Sequence, residues 1–417
     1  MGPDCEKTRL DALLAREGPP PRDALARGAW LRRFLAPDEA ARAGEQLELR
    51  ARAAARFAQA ERLWLTSAGL EQATHPHVAA ARAREIAELR PSSPTRPRLV
   101  LDATCGLGGE SAALVDAGFA VVAADRDATT ARCARHNLAV WGASAATVVV
   151  ADALAEPLRS ASRALLVVDP SRRAAGRRSL DPREWSPAWP ALAERLVRFA
   201  GACVKLAPGV RPEELDAALP VGLPRRWQWT SRAGELAELC LWTDALAVGP
   251  GRTALLLGRD GEERARFAGP SARAPDGEPL AEPLAAAWIA VPDPALVASG
   301  LLGPVARAAG LAPLGSGIGF VGGPAPAGVP GLRDLAVRGA CRLDRKAVRR
   351  LLGEHDIGPV RVLARGLSES AGELEQRLAG PGTGRGLLVA ARTDSGRCVW
   401  LVDEGASRTA GDTATGD

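Results

Sequence analysis

Five short apolar runs constrain this chain more than any other feature. LVLDATCGLGG begins at Leu99, FAVVAADRD at Phe119, ATVVVADAL at Ala146, RALLVVDPSRR at Arg163 and GACVKLAPG at Gly201. Each is strand-length and apolar throughout rather than on alternate residues. Such strands are buried on both faces, as in a parallel sheet. The segments between the early runs, such as ATTARCARHNLAVWG, suit helices. Strand–helix alternation of this kind predicts a Rossmann-like α/β sheet covered on both sides. ELAELCLWTD and RTALLLGRDG add strand-like runs that fit an antiparallel edge.

Four of the five runs close on an acid, and a parallel sheet brings all their carboxyl ends to one edge. That edge is where open α/β sheets bind ligands. Asp102 ends the first run and is followed by Gly106, Gly108 and Gly109. These glycines let the backbone turn tightly beside a ligand, with the next helix N-terminus behind it. Asp125 ends the second run, placed to accept hydrogen bonds from a ribose diol. Asp152 ends the third. The bland alternative is a set of solvated turn acids. The G-x-G-G spacing departs from the dinucleotide fingerprint G-x-G-x-x-G. A carboxylate at Asp102 repels a pyrophosphate and attracts an amine or a sulfonium. S-adenosylmethionine carries both and has no phosphate.

The rest of the chain frames this block. Residues 1–95 read as a helical region, with apolar residues such as Leu47, Leu49, Phe57, Leu63 and Leu65, and with Thr74 as a helix N-cap before Pro76. RPSSPTRPR at 90–98 reads as a linker, and the sheet domain follows to 262. Residues 262–283 read as a second linker. Segments 284–332 and 333–405 form a smaller α+β module, with helices in RKAVRRLLGEHDI and SAGELEQRLAG and strands in GPVRVLARG, RGLLVAART and GRCVWLVD. The polar tail 406–417 reads as disordered.

A length of 417 residues is consistent with two or three domains. A net charge of +5 is too small for a wholly basic nucleic-acid binder. Tyrosine is absent, so stacking on a base falls to Trp, Phe, His or Arg. Seven dispersed cysteines without CxxC spacing read as reduced thiols in a cytoplasmic protein. His75 and His77 flank a proline without acidic or Cys partners, so no metal site is expected. The N-terminal stretch MGPDCEKTRLDALLARE has no apolar core, and no window holds 18 uninterrupted apolar residues. Neither a signal peptide nor a membrane span is expected.

In series, LDATCGLGG, VVAADRD, ADAL and VVDPSRR resemble the class I S-adenosylmethionine-dependent methyltransferases. More narrowly, TSAGLEQATHPHVAAARARE, DPSRRAAGRR and VKLAPG resemble bacterial methyltransferases with a C-terminal THUMP-like domain. AAWIAVPDPALVASGLLGPVARAAGL resembles the ferredoxin-like segment of that family, and RKAVRRLLGEHDIGPVRVLARG its THUMP-like domain. The resemblance runs from about residue 50 to 403. It implies that Asp102, Gly106 and Gly108 surround the methionine part of the cofactor, that Asp125 holds the ribose hydroxyls and that Asp152 lies beside the adenine amine. Gln72 and Thr74 match a segment that reaches the cofactor carboxylate. Asp169 and Pro170 match the motif beside the transferred methyl group. THUMP domains generally bind RNA, so the resemblance implies an RNA substrate, tRNA or rRNA.

The acceptor side is less determined. Related amine methylases use Asp or Asn, Pro, Pro and an aromatic; here the series is Asp169-Pro170-Ser171-Arg172, without the aromatic. An Arg plane can replace it in stacking. Uracil C5 chemistry needs a nucleophilic Cys. Cys203 is the nearest candidate, but it lies within a strand, where packing is the expected role. Arg172, Arg173, Arg177 and Arg178 are candidate grips for substrate phosphates, or else pair with Asp181 and Glu184. Trp185, Trp189, Trp227 and Trp229 stack bases or pack in the core. Three functions stay open: RNA methylation, methylation of a protein or small molecule, and RNA binding by a vestigial methyltransferase fold.

Overall fold

The computed structural model describes residues 3–89, 99–155, 158, 161–174, 177–179, 181–273 and 276–403, without the side chains of 3–8, 173, 174, 177 and 178. The predicted linker at 90–98 and the tail 406–417 lie outside the described residues. The chain forms two compact units. One comprises Met1–Arg225 and Cys240–Val248, the other Arg226–Leu239 and Gly249–Asp417.

In the first unit, β1 (Leu99–Asp102), β2 (Ala120–Asp125), β3 (Ala146–Val150) and β4 (Ala164–Val168) precede a small ribbon, β5 (Arg173–Ala174) with β6 (Arg177–Arg178), and then β7 (Gly201–Leu206). The sheet runs β3-β2-β1-β4-β7, and these neighbours pair parallel. The Cys240–Asp244 part of a further strand, β9 (Glu235–Asp244), lies beside β7. Register places the acids: Asp102 stands opposite Ala123 of β2 and Val167 of β4. Asp125 and Asp169 each follow two residues after those partners, so all three reach the same edge.

Helices cover the sheet because its strands are apolar on both faces. Val100, Val121, Leu165, Val167 and Cys203 pack with Ile86, Leu114, Phe119 and Trp242 in one core. Burying a side chain of this size is worth roughly 1.5–3 kcal/mol. The helix Ala128–Val140 starts on an Asp127 cap, whose carboxylate accepts from Thr130 N at 2.7 Å.

The N-terminal region is helical at Pro3–Glu17, Ala24–Leu31, Pro37–Ala53, Ser67–Gln72 and Pro76–Leu89. Leu63 and Leu65, grouped with the helical apolar residues in the sequence reading, instead lie in a non-helical segment. Side chains take over the backbone bonds a helix would have made. Gln46 exchanges two hydrogen bonds with the Leu65 backbone (2.6 and 3.0 Å), Arg50 donates to Leu63 O at 2.9 Å, and Asn137 pairs with both backbone groups of Trp64. Thr74 is not the N-cap of the next helix. His75 takes that place, its Nδ1 accepting from His77 N at 3.2 Å and its carbonyl from Val78 N and Ala79 N. Pro76 is the first helical residue.

In the second unit, β8 (Arg225–Arg232) turns at Ala233–Gly234 into β9. β10 (Arg252–Leu257) pairs parallel to β8, and β11 (Glu263–Gly269) pairs antiparallel to β10. The antiparallel edge therefore falls on β11, inside the stretch read from sequence as a linker. Its alternating exposure explains why apolar-run reasoning passed over it. A separate sheet has the order β13-β14-β12-β15-β18-β17-β16. Its strands are β12 (Trp288–Pro292), β13 (Ala312–Pro313), β14 (Val321–Gly323), β15 (Leu332–Arg342), β16 (Ile357–Arg365), β17 (Gly384–Thr393) and β18 (Gly396–Asp403). Along β17 and β18 alternate residues enter two cores, Leu387, Val389 and Trp400 on one face and Leu388, Val399 and Leu401 on the other. The helices Arg345–Glu354 and Ala371–Arg377 contribute Val348, Leu352 and Leu374 to the second core. No described helix is long and apolar enough to cross a membrane.

Candidate active site

The turn after β1 is shaped by its glycines. Gly106 (φ +53°) and Gly108 (φ +89°) adopt the left-handed conformation, and Gly108 caps the helix Gly109–Asp116. A Cβ at Gly106 would meet nothing within 4 Å, so the turn opens onto free space there. Gly106 N donates to Asp125 Oδ2 at 3.2 Å, and Asp127 N donates to Asp125 Oδ1 at 2.9 Å. A carboxylate offers about four acceptor positions, so Asp125 keeps capacity for a diol. Burial raises the Asp125 carboxyl above its ordinary value, opposed by those backbone bonds.

Asp102 is 2% exposed and accepts from Ser111 Oγ at 2.6 Å. Burial pushes its carboxyl up to about 7; the Ser111 bond opposes the shift, Glu110 adds to it and Lys205 opposes it. A buried carboxylate without a salt bridge is costly, and a cationic ligand would relieve that cost. Cys105, next in the turn, is buried, and burial together with Asp102 and Asp125 raises its thiol. It is a packing residue there, not a nucleophile.

Asp169 and Pro170 follow β4. Asp169 N donates to Thr104 Oγ1 at 2.7 Å, which joins the two strand ends. The Asp169 carboxylate accepts from Lys205 Nζ at 2.7 Å, and the same Nζ lies 2.6 Å from Thr74 Oγ1. Lys205, near the end of β7, is 8% exposed. Thr74 thus meets the Asp169 carboxylate through Lys205. Gln72 ends the helix Ser67–Gln72 and is exposed.

Asp152 accepts from Leu154 N at 2.8 Å, and Arg195 donates to Leu154 O (2.7 Å) and to Ala155 O. Arg195 therefore fixes the turn that carries Asp152. Ser171 exchanges two 2.8 Å backbone bonds with Ser186, which also accepts from Arg126 at 2.7 Å. Asp181 pairs with Arg183, and Glu184 accepts from Ser179. Arg172 is half-buried, and the side chains of Arg173, Arg177 and Arg178 lie outside the described residues. Trp185 and Trp189 are 4% and 2% exposed and donate to Ser179 O and Leu215 O. In the second unit Trp227 and Trp229 are also buried. All four pack in the interior, which removes them as stacking platforms. Cys203 is fully enclosed. Among the described residues no group of His, Cys, Asp and Glu forms a metal site. A groove of about 970 Å³ lies away from the strand ends, lined by residues including Leu14, Leu47, Arg50 and His136.

No protein-family model matches the chain. Two curated Mycobacterium tuberculosis proteins, both described as uncharacterized S-adenosylmethionine-dependent methyltransferases, are 32% identical to it over 318 residues. That span is 76% of this chain and 81% of each relative.

The chain belongs to the S-adenosylmethionine-dependent methyltransferases.

A solved Porphyromonas gingivalis structure assigned as a methyltransferase shares the fold at a TM-score of 0.74 and 19% identity, over 96% of this chain and 98% of that one. The methyltransferase therefore uses S-adenosylmethionine. Sequence reasoning missed several residues that build the candidate site. Ser111 holds Asp102 from nine residues along the chain, and Asn137, 0% exposed, holds Leu107 O of the glycine turn at 3.1 Å. Lys205 had a usable signal: it is one of three lysines among 54 basic residues.

Proposed function

We propose that this methyltransferase acts on RNA, tRNA or rRNA, in the cytoplasm, at the edge formed by Asp102, Asp125, Asp152 and Asp169. The observation that carries the site is the shared parallel register, which brings these four strand ends to one edge around an open glycine turn. S-adenosylmethionine supplies an activated methyl group on a sulfonium. Asp102, with Gly106 and Gly108, would hold its methionine part, Asp125 the ribose hydroxyls and Asp152 the adenine amine. Gln72 and Thr74 would border the cofactor carboxylate. Asp169 and Pro170 would border the acceptor. The protein's work is to align donor and acceptor and to organise the charge around them.

Two basic features support a polyanionic substrate. Arg172, Arg173, Arg177 and Arg178 lie shortly after Asp169-Pro170 and are the proposed phosphate grip. On the helix Arg345–Glu354, Arg345, Lys346, Arg349 and Arg350 are exposed while Val348, Leu351 and Leu352 are buried. That helix belongs to the module proposed to be THUMP-like, with a ferredoxin-like segment at 284–332. Calorimetry with S-adenosylhomocysteine on the wild type and Asp102→Ala tests the cofactor site; equal affinities would remove Asp102 from it. Filter binding of tRNA and rRNA fragments at rising salt tests the substrate. The expected result is affinity that falls steeply with salt; absent binding counts against RNA.

A further inference from the structure

The Lys205–Asp169 pair bears on the atom that receives the methyl group. A neutral amine that attacks a methyl sulfonium becomes cationic, and it gains from an unpaired acid beside it. Here Lys205 Nζ, on a side chain that is 8% exposed, already donates to Asp169 Oδ2 at 2.7 Å. An N–H of Lys205 therefore occupies a carboxylate oxygen that an amine acceptor would use, whether or not the lysine is charged. The described residues also bring no aromatic plane to it: Ser171 follows Asp169-Pro170, and Trp185 and Trp189 are buried. A hydroxyl acceptor has the opposite requirement, because it must lose a proton as it attacks.

Lysine at this position carries information of its own. The chain has only three lysines among 54 basic residues. The other buried cations among the described residues are arginines, Arg50, Arg82, Arg195, Arg226 and Arg252. Arginine does not deprotonate in proteins, whereas lysine can act as a general base. The geometry fixes Lys205 Nζ between two oxygens, Asp169 Oδ2 and Thr74 Oγ1.

We infer that the acceptor is a hydroxyl oxygen and that Lys205 takes its proton. In RNA the hydroxyl present at every internal nucleotide is the ribose 2′-OH, so this last step rests on the RNA reading above. As the oxygen attacks, the O–CH₃ bond forms and the C–S bond breaks with its electron pair passing to sulfur. Lys205 enters the step as the neutral amine, having released a proton to solvent, and the hydroxyl proton passes to it. The ammonium group so formed is the species that Asp169 stabilises. Atoms and charge balance without a further co-reactant.

The test uses the full chain, S-adenosylmethionine labelled in the methyl group, and RNA from cells lacking the gene. The RNA product is hydrolysed in alkali. A 2′-O-methyl group blocks cleavage of its own linkage, so label in alkali-stable dinucleotides is the expected result. Label in mononucleotides overturns the hydroxyl inference while the RNA reading stands. No label in RNA, from protein that binds S-adenosylhomocysteine, overturns the RNA reading and this inference with it. Lys205→Arg supplies an independent readout. It keeps the charge, so cofactor affinity and the KM for RNA are expected to stay, while kcat falls by about 10²–10⁴-fold and its rise with pH disappears. A variant with wild-type kcat and pH profile overturns the assignment of Lys205.

Discussion

With the cofactor placed as proposed, the buried Asp102 carboxyl gives its binding a pH dependence. Its carboxyl is raised to about 7, chiefly by burial, against the Ser111 hydrogen bond. For a pKa near 7, the ionised fraction rises from about one tenth at pH 6 to about nine tenths at pH 8. Attraction for the cofactor's cationic groups should strengthen by about tenfold over that interval. Asp102→Asn removes the titration and keeps nearly the same shape. The ratio of the variant's Kd to the wild-type Kd isolates the effect, because ionisation of the ligand's own amine is common to both proteins. Calorimetry with S-adenosylmethionine from pH 6 to 8 is expected to show that ratio rising about tenfold. A flat ratio would refute the placement of the cofactor's charge beside Asp102. The unliganded protein should show the opposite trend in stability. The folded-state value lies above the unfolded one, so the native state holds the proton longer. Stability then falls as pH rises from about 4 through about 7, by at most about 1.4 kcal/mol per unit from this group.

Other perturbations follow from the same contacts. Arg82 and Glu110 form a pair 2% and 8% exposed behind the glycine turn. Arg82→Ala strands a buried acid and should cost about 3–5 kcal/mol in urea unfolding; an unchanged midpoint would show that the pair is solvated. Asn137→Ala breaks bonds to Trp64 N, Trp64 O and Leu107 O. A loss of about 3 kcal/mol, with weaker cofactor binding, is expected by unfolding and calorimetry. Cys203→Ala should leave the rate of methyl transfer unchanged and cost about 1–2 kcal/mol for the small cavity. Loss of turnover with retained cofactor affinity would restore Cys203 as a nucleophile.

Much of the site was legible because a parallel sheet converts sequence order into spatial order. Once LVLD, VVAAD and LLVVD are read as neighbouring parallel strands, Asp102, Asp125 and Asp169 must share an edge. What escaped were contacts between side chains far apart in sequence. Lys205 lies 131 residues from Thr74 and 36 from Asp169, and no local pattern joins them. Burial also overruled residue type. Trp185 and Trp189 carry the chemistry to stack a base, but their indole N–H groups are spent on internal carbonyls. The extended segment at Leu63–Leu65 was missed because its hydrogen bonds come from Gln46, Arg50 and Asn137, not from neighbours in sequence. β11 was missed because Glu263, Arg264 and Arg266 resemble a charged linker, although an edge strand takes charge readily.

The central claim is that this methyltransferase modifies RNA at the edge marked by Asp169. Mass spectrometry of nucleosides from total RNA tests it directly, in cells with the gene, without it, and with the Asp169→Ala form. The account predicts one methylated nucleoside that disappears without the gene and is not restored by Asp169→Ala. An identical nucleoside profile in all three would contradict it.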